Sequence, residues 1–272
     1  MTFQDKLNNA VSKNNSLLCV GLDPDPEKMP KHLDGDYTRL FEFNKAIIDA
    51  TADLVCCYKP NSAFYEAGGA KTIEQLNATI QYIKATYPEI PVLLDAKRGD
   101  IGNTNKQYAS FSFDYCQADA MTIQPYQGVK AVEPFFTNPN KGVFVLAKTS
   151  NPDSSLFQNI ETDNSPLYLK VIQGFLKEYG GKNNCFFVAG ATYPKEMAEI
   201  RKIVGDAPLL VPGIGAQGGD VESMVSAGLN QGSAGLIINS SRGVLYAGAG
   251  EDFANKSREA AISLRDEINK YR

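Results

Sequence analysis

The chain is poor in several things that whole classes of function require. Its 272 residues include one histidine, His32, and no tryptophan. A zinc centre built on imidazoles cannot be assembled from one such chain. His32 lies in KMPKHLDGD, a polar stretch flanked by proline and glycine, and reads as a surface-loop residue rather than a catalyst. The five cysteines (Cys19, Cys56, Cys57, Cys116 and Cys185) are odd in number, scattered and without C-x-x-C spacing, so they read as small core hydrophobes of a reduced chain. No basic segment followed by an apolar run opens the sequence, and no run approaches the roughly 18 apolar residues of a membrane span, which predicts a cytoplasmic protein. Positive charge is not in excess either. A net charge of -4 argues against nucleic acid or membrane surfaces as partners, while leaving room for one local anion site. The G-x-x-x-x-G-K-S/T pattern of nucleoside triphosphate binding is missing.

What is present is a repeat of short apolar runs. They are SLLCVGL from Ser16, LVCCY from Leu54, PVLLDA from Pro91, AMTIQP from Ala120, GVFVLAK from Gly142, CFFVAG from Cys185, PLLVPG from Pro208 and GLIINS from Gly235. Each is apolar on both faces, as buried parallel strands are. Segments of helical period lie between them: Ile73, Leu76, Ile80 and Ile83; Tyr108, Phe111 and Tyr115; Met197, Ile200 and Val204; and an amphipathic stretch from Phe253 to Ile268. Strands alternating with helices over this length predict an α/β chain folded as one (β/α)8 TIM barrel spanning 1–272. A doubly wound open sheet is the competitor, weakened because no G-x-G-x-x-G follows the first run. SNPDSSLFQNIETDNSP, from Ser150 to Pro166, reads as an enlarged loop after strand five and a lid candidate.

Barrel chemistry collects where strands end. The first run ends at Asp23, the second in Tyr58-Lys59-Pro60-Asn61, and the third in LLDAKRGDIGNT, with Asp95, Lys97, Asp100 and Thr104. Asp95 and Lys97 are two apart, which on an extended strand places them on one side. A lysine held among carboxylates stays protonated, suited to protonating a carbanion or to holding a substrate anion. A solvated salt-bridge cluster is the plain alternative, and for D-x-K-x-x-D alone the two readings are about even. At the last two strand ends, VPGIGAQGGD (Val211 to Asp220) is glycine-rich and LIINSSRGV carries Ser240, Ser241 and Arg242. Glycines let backbone N–H groups approach an anion, and arginine supplies a bidentate fork, so together they point to a phosphate site.

Lys59, Asp95-Ala-Lys97-Arg-Gly-Asp100-Ile-Gly-Asn-Thr104, Pro212-Gly-Ile-Gly-Ala-Gln217-Gly-Gly and Arg242, in that order, closely resemble the orotidine 5'-monophosphate decarboxylase family, in particular its longer bacterial branch. The resemblance implies a barrel homodimer that converts orotidine 5'-monophosphate to uridine 5'-monophosphate and carbon dioxide with no metal or organic cofactor. It implies Lys97 as proton donor to C6, flanked by Lys59 and Asp95, with Asp100 and Thr104 reaching across the dimer. Asp23 and Lys59 would contact the ribose, Ser150 the pyrimidine, and Gln217 and Arg242 the phosphate, with Pro212 and Ser241 beside them. One departure is Ser241, because many members carry glycine directly before the phosphate arginine. Magnesium-dependent sugar-phosphate decarboxylases or aldolases share D-x-K-x-x-D but carry a glutamate ligand where this chain has Lys59, whose charge repels a divalent cation. A non-catalytic phosphate-binding barrel is the remaining alternative, and it gives Lys97 no reason to sit among carboxylates.

Overall fold

The computed structural model describes residues 1–33, 37–213 and 220–272. Eight strands form one sheet: β1 (Leu18–Leu22), β2 (Cys57–Pro60), β3 (Leu93–Arg98), β4 (Ala120–Ile123), β5 (Gly142–Lys148), β6 (Cys185–Ala189), β7 (Leu209–Pro212) and β8 (Leu236–Ser240). Every neighbouring pair in the sheet is parallel, and the order runs 2-1-8-7-6-5-4-3. The two ends, β2 and β3, meet through parallel bridges at Tyr58–Val92 and Asn61–Asp95. This is the (β/α)8 TIM barrel that the alternation of runs predicts.

Six of the eight predicted runs contain their strands, and the third strand runs on two residues past its run, to Arg98. The second is displaced, however: Leu54 and Val55 lead in, Cys56 N–H donates to the Leu18 carbonyl at 2.7 Å, and the paired strand begins at Cys57. The strands are buried along almost their whole length, because helices cover the outside while side chains fill the lumen. The first helix, α1 (Phe3–Asn14), precedes β1 and opens on a capping box between Thr2 and Asp5. It sets Phe3 against Phe144 and Phe186, ring centroids 5.5 and 5.7 Å away, and so closes the barrel at its N-terminal end. The opposite end is left to the strand termini and their loops.

The other long helices are α2 (Leu40–Thr51), α3 (Ala70–Thr86), α4 (Gly102–Ser110), α5 (Leu167–Tyr179), α6 (Pro194–Val204), α7 (Val221–Gly228) and α8 (Phe253–Asn269). The predicted stripes on α3 and α6 are inward: Leu76, Ile80, Ile83, Met197, Ile200 and Val204 are buried. The Tyr108–Phe111–Tyr115 stripe holds only in part: Tyr108 and Phe111 are half-buried against the core and Tyr115 is not. After α4 the chain widens into a π-type turn over Phe111–Tyr115, and the extra residue swings Tyr115 out to 47% exposure, leaving Asn105, Ser112 and Cys116 inward. The stretch from Ser150 to Pro166 has structure of its own: a 3₁₀ turn at Pro152–Ser154, one helical turn at Ser155–Gln158, and a hairpin pairing Glu161–Thr162 with Ser165–Pro166. All five cysteines are buried free thiols, and His32 lies exposed in a short 3₁₀ turn. Among the described residues no helix is long and apolar enough to cross a membrane.

Candidate active site

Asp95 is the hub of the site. It stands near the end of β3, and all four of its closest polar neighbours are donors. Lys97 Nζ and the Thr122 hydroxyl donate to Oδ1 at 2.6 and 2.8 Å; Lys59 Nζ and Asn61 Nδ2 donate to Oδ2 at 2.9 and 3.2 Å. Burial pushes the Asp95 carboxyl up, but the ammoniums of Lys59 and Lys97 outweigh it and hold the group well below the usual carboxylate range. Lys59 is equally enclosed, its side chain 4% exposed, with Asp23 Oδ1 on its other side at 3.9 Å. Burial alone would lower its pKa; Asp23 and Asp95 together raise it above the ordinary lysine value. Both groups are therefore charged at neutral pH, and their charges hold each other in place.

Lys97 reaches Asp95 by a different route from simple alternation. Its backbone is left-handed, with φ 46°, and the pairing of β3 with β4 shifts between Leu94 and Arg98. A bulge therefore replaces the extended strand that the two-residue spacing assumes. The Thr122 hydroxyl stabilises it by accepting from Lys97 N–H at 2.9 Å while donating to Asp95. A non-glycine residue held in this region costs on the order of 1–3 kcal/mol, and it lifts the Lys97 side chain into the mouth, where it is 44% exposed. The result is an anchored ammonium that solvent or substrate can reach.

Two adjoining cavities open around this hub, sharing Lys59, Asp95 and Pro212. One, of about 240 Å³, is lined by Asp23, Asn61, Asn239, Ser241, Arg242 and Tyr246 among others. The other, of about 420 Å³, is lined by Lys97, Gln124, Ser150, Asn151 and Gln158. Asp23 is held by three donors, one after β2 and two after β8: Asn61 N–H and the Ser241 hydroxyl donate to its carboxylate at 3.0 and 2.6 Å, and Tyr246 donates to its carbonyl at 3.2 Å. Burial pushes the Tyr246 hydroxyl up to about 12, so it stays a donor. Ser241, the departure noted above, fills space that only glycine leaves free: a Cβ on Gly21 would stand 1.9 Å from Ser241 Oγ. Its hydroxyl thus orients Asp23. Arg242 is exposed at the rim, and among the described residues no side chain or carbonyl holds its guanidinium.

Of the residues singled out in the sequence, Asp23, Lys59, Asp95, Lys97, Ser150, Pro212, Ser241 and Arg242 line this double cleft. Asp100 and Thr104 do not. Asp100 caps Ile101 N–H at 2.7 Å, and among the described residues no ion pair joins it to Lys59 or Lys97; Thr104 is exposed in the first turn of α4. Gln217 lies outside the described residues. Asn61, Thr122, Asn239, Tyr246 and Gln158 are site residues that sequence reasoning passed over. Two of them left a signal: Thr122 and Asn239 are polar side chains inside otherwise apolar strands, and such groups must find partners.

Comparison with known proteins bears on the same region. Residues 16–256 match the model of the orotidine 5'-phosphate decarboxylase / HUMPS family. The chain is similar to the orotidine 5'-phosphate decarboxylase of Dechloromonas aromatica (strain RCB), 52% identical over 272 residues and 100% of both chains. It is also similar to that of Cellvibrio japonicus (strain Ueda107), 52% identical over 271 residues, 99% of this chain and 98% of the other. Among solved structures, Leishmania donovani OMP decarboxylase superposes with a TM-score of 0.88 at 36% identity, covering 100% of this chain and 99% of that one.

Proposed function

From the premise that the chain belongs to the orotidine 5'-phosphate decarboxylase / HUMPS family, we infer that it is an orotidine 5'-phosphate decarboxylase, forming uridine 5'-monophosphate in the last step of UMP synthesis. The observation that carries the mechanism is the Lys59–Asp95–Lys97 array with its short, donor-only contacts to Asp95. The bond between C6 and the substrate carboxylate breaks, carbon dioxide leaves, and the electron pair remains on C6. Lys97, already protonated and anchored, stabilises that charge without reorganisation, delivers its proton to C6, and is reprotonated from solvent. Asp95 faces the departing carboxylate and disfavours it in the ground state.

The smaller cavity takes the ribose and phosphate. Asp23 and Lys59 meet the ribose hydroxyls, and the exposed guanidinium of Arg242 grips the phosphate, joined by Gln217. The larger cavity takes the pyrimidine beside Ser150. Phosphate binding remote from C6 contributes to the chemical step by holding the base against Lys97.

The working form is a cytoplasmic homodimer in which Asp100 and Thr104 enter the partner's cleft. The exposed start of α4, which carries Thr104 and follows half-buried Asp100 and Ile101 at 61% exposure, supports a contact there. No metal or organic cofactor is needed when Lys97 supplies both the charge and the proton. The test is the loss of orotidine 5'-monophosphate absorbance with purified protein in excess EDTA. Full turnover is expected; no turnover with or without EDTA refutes the assignment, and turnover seen without EDTA but abolished by it refutes the cofactor-free mechanism.

A further inference from the structure

Lys148 ends β5, is 1% exposed, and among the described residues pairs with no carboxylate. Burying an ammonium without a counter-ion is costly, and an apolar side chain would fill the same volume. Its contacts show what it holds. Nζ donates to Asn159 Oδ1 at 2.8 Å and to Ser154 Oγ at 3.2 Å, and it lies 4.3 Å from the centroid of the Tyr193 ring. Ser154 and Asn159 belong to the enlarged loop after β5, so one buried cation ties that loop to the barrel and to the segment after β6.

The residues next to Lys148 make the same connection. Thr149 N–H donates to Gln158 Oε1 at 2.9 Å, and Gln158 Nε2 donates back to the Thr149 hydroxyl at 2.8 Å. Gly190 N–H donates to the Lys148 carbonyl at 2.8 Å. A Cβ on Gly190 would stand 2.6 Å from Ser150 N, so Ser150 is seated directly on the β6 terminus. Ser150, Asn151 and Gln158 then face the cavity that holds Lys97.

We propose that Lys148 is a positioning residue for the pyrimidine half of the site: by holding Ser154 and Asn159, its ammonium docks the 150–160 segment so that Ser150, Asn151 and Gln158 are in place before substrate arrives. This rests on the decarboxylase reading for the identity of the base, though not for the docking itself. Preorganisation of this kind lowers the ordering cost of binding, so its loss falls on KM more than on kcat.

The experiment compares wild type with Lys148→Met, Lys148→Arg and Asn159→Ala in the full chain. Thermal midpoint, kcat and KM for orotidine 5'-monophosphate, and the rate of chymotrypsin cleavage in the loop at Phe157 (67% exposed) are measured. For Lys148→Met we expect KM to rise roughly tenfold with kcat changed less than about threefold, and cleavage to quicken. The midpoint should stay close to wild type, since an apolar replacement removes a buried charge. Lys148→Arg should recover part of the affinity, and Asn159→Ala should move KM and cleavage in the same direction by a smaller factor. Unchanged KM and cleavage in Lys148→Met overturn the proposal. If that variant does not fold, unchanged KM and cleavage in Asn159→Ala, an exposed position, overturn it instead. A wild type that leaves orotidine 5'-monophosphate untouched refutes the decarboxylase reading, while the cleavage rates still decide whether Lys148 docks the loop.

Discussion

Replacing Asp95 by asparagine tests the hub of the site with the smallest change of shape. Every contact of the carboxylate is with a donor: Lys97 and Thr122 on one oxygen, Lys59 and Asn61 on the other. An asparagine offers one oxygen and one NH₂, so one pair of donors must face an NH₂ whichever way the amide turns. The cheaper orientation keeps the oxygen on Lys59, because Lys97 is 44% exposed and can turn to water. Even so, buried Lys59 loses the full charge beside it and keeps only Asp23 at 3.9 Å. We expect a stability loss of about 2–4 kcal/mol, less than the full cost of stripping a buried ion of its partner. For a chain of this length that lowers the unfolding midpoint at pH 7 by roughly 4–8 °C.

Calorimetry across pH sharpens the test. The Asp95 pKa is depressed in the folded protein, so its contribution is full above the unfolded carboxylate value near 4 and is lost as pH falls through the lower folded value. The stability difference between wild type and Asp95→Asn should therefore be flat above about pH 5 and shrink below about pH 4. Turnover should fall by at least roughly 10²-fold, as for other losses of preorganised electrostatics. A midpoint within about 2 °C of wild type at pH 7, or a difference that grows on acidification, would refute the view that Asp95 is the buried counter-ion.

Two further outcomes concern the reaction and the assembly. Lys97→Ala should reduce kcat by roughly 10⁴-fold or more while uridine 5'-monophosphate still binds in a calorimetric titration, since Asp23 and Arg242, the proposed ribose and phosphate contacts, line the other cavity; near-normal turnover rules out proton donation by Lys97. Mixing inactive Lys97→Ala chains with inactive Asp100→Ala chains should restore activity through dimers that carry one intact site. Mixed dimers that form and stay inactive would show that Asp100 does not serve its partner.

The architecture and the gathering of charged residues at one end of it were legible because they depend on local pattern. Eight doubly apolar runs separated by helical segments admit few packings, and a barrel collects the polar residues at strand ends into one mouth. Asp23, Asp95 and Arg242 could be placed at that mouth for that reason, whereas Lys59, a strand-end lysine that by itself reads as reaching solvent, stood out only beside the other motifs. The stripe through Tyr108 and Phe111 misled only at Tyr115, because a single extra residue in a turn rotates everything after it, and periodicity cannot register an insertion that only the packed helix reveals.

What the sequence determined by itself is the set of charges and where along the strands they end. How those charges meet was decided only in three dimensions. Lys97 faces Asp95 through a left-handed bulge pinned by Thr122 from the neighbouring strand, not through the strand alternation that its spacing suggests. Ser241 orients Asp23 across 218 positions of chain because Gly21 leaves room for its hydroxyl. Lys148 holds the loop after β5 from beneath, with partners six and eleven residues away that no periodic pattern marks. Hydrogen bonds and close approaches of this kind depend on distances between segments remote in sequence, which only the closed barrel sets.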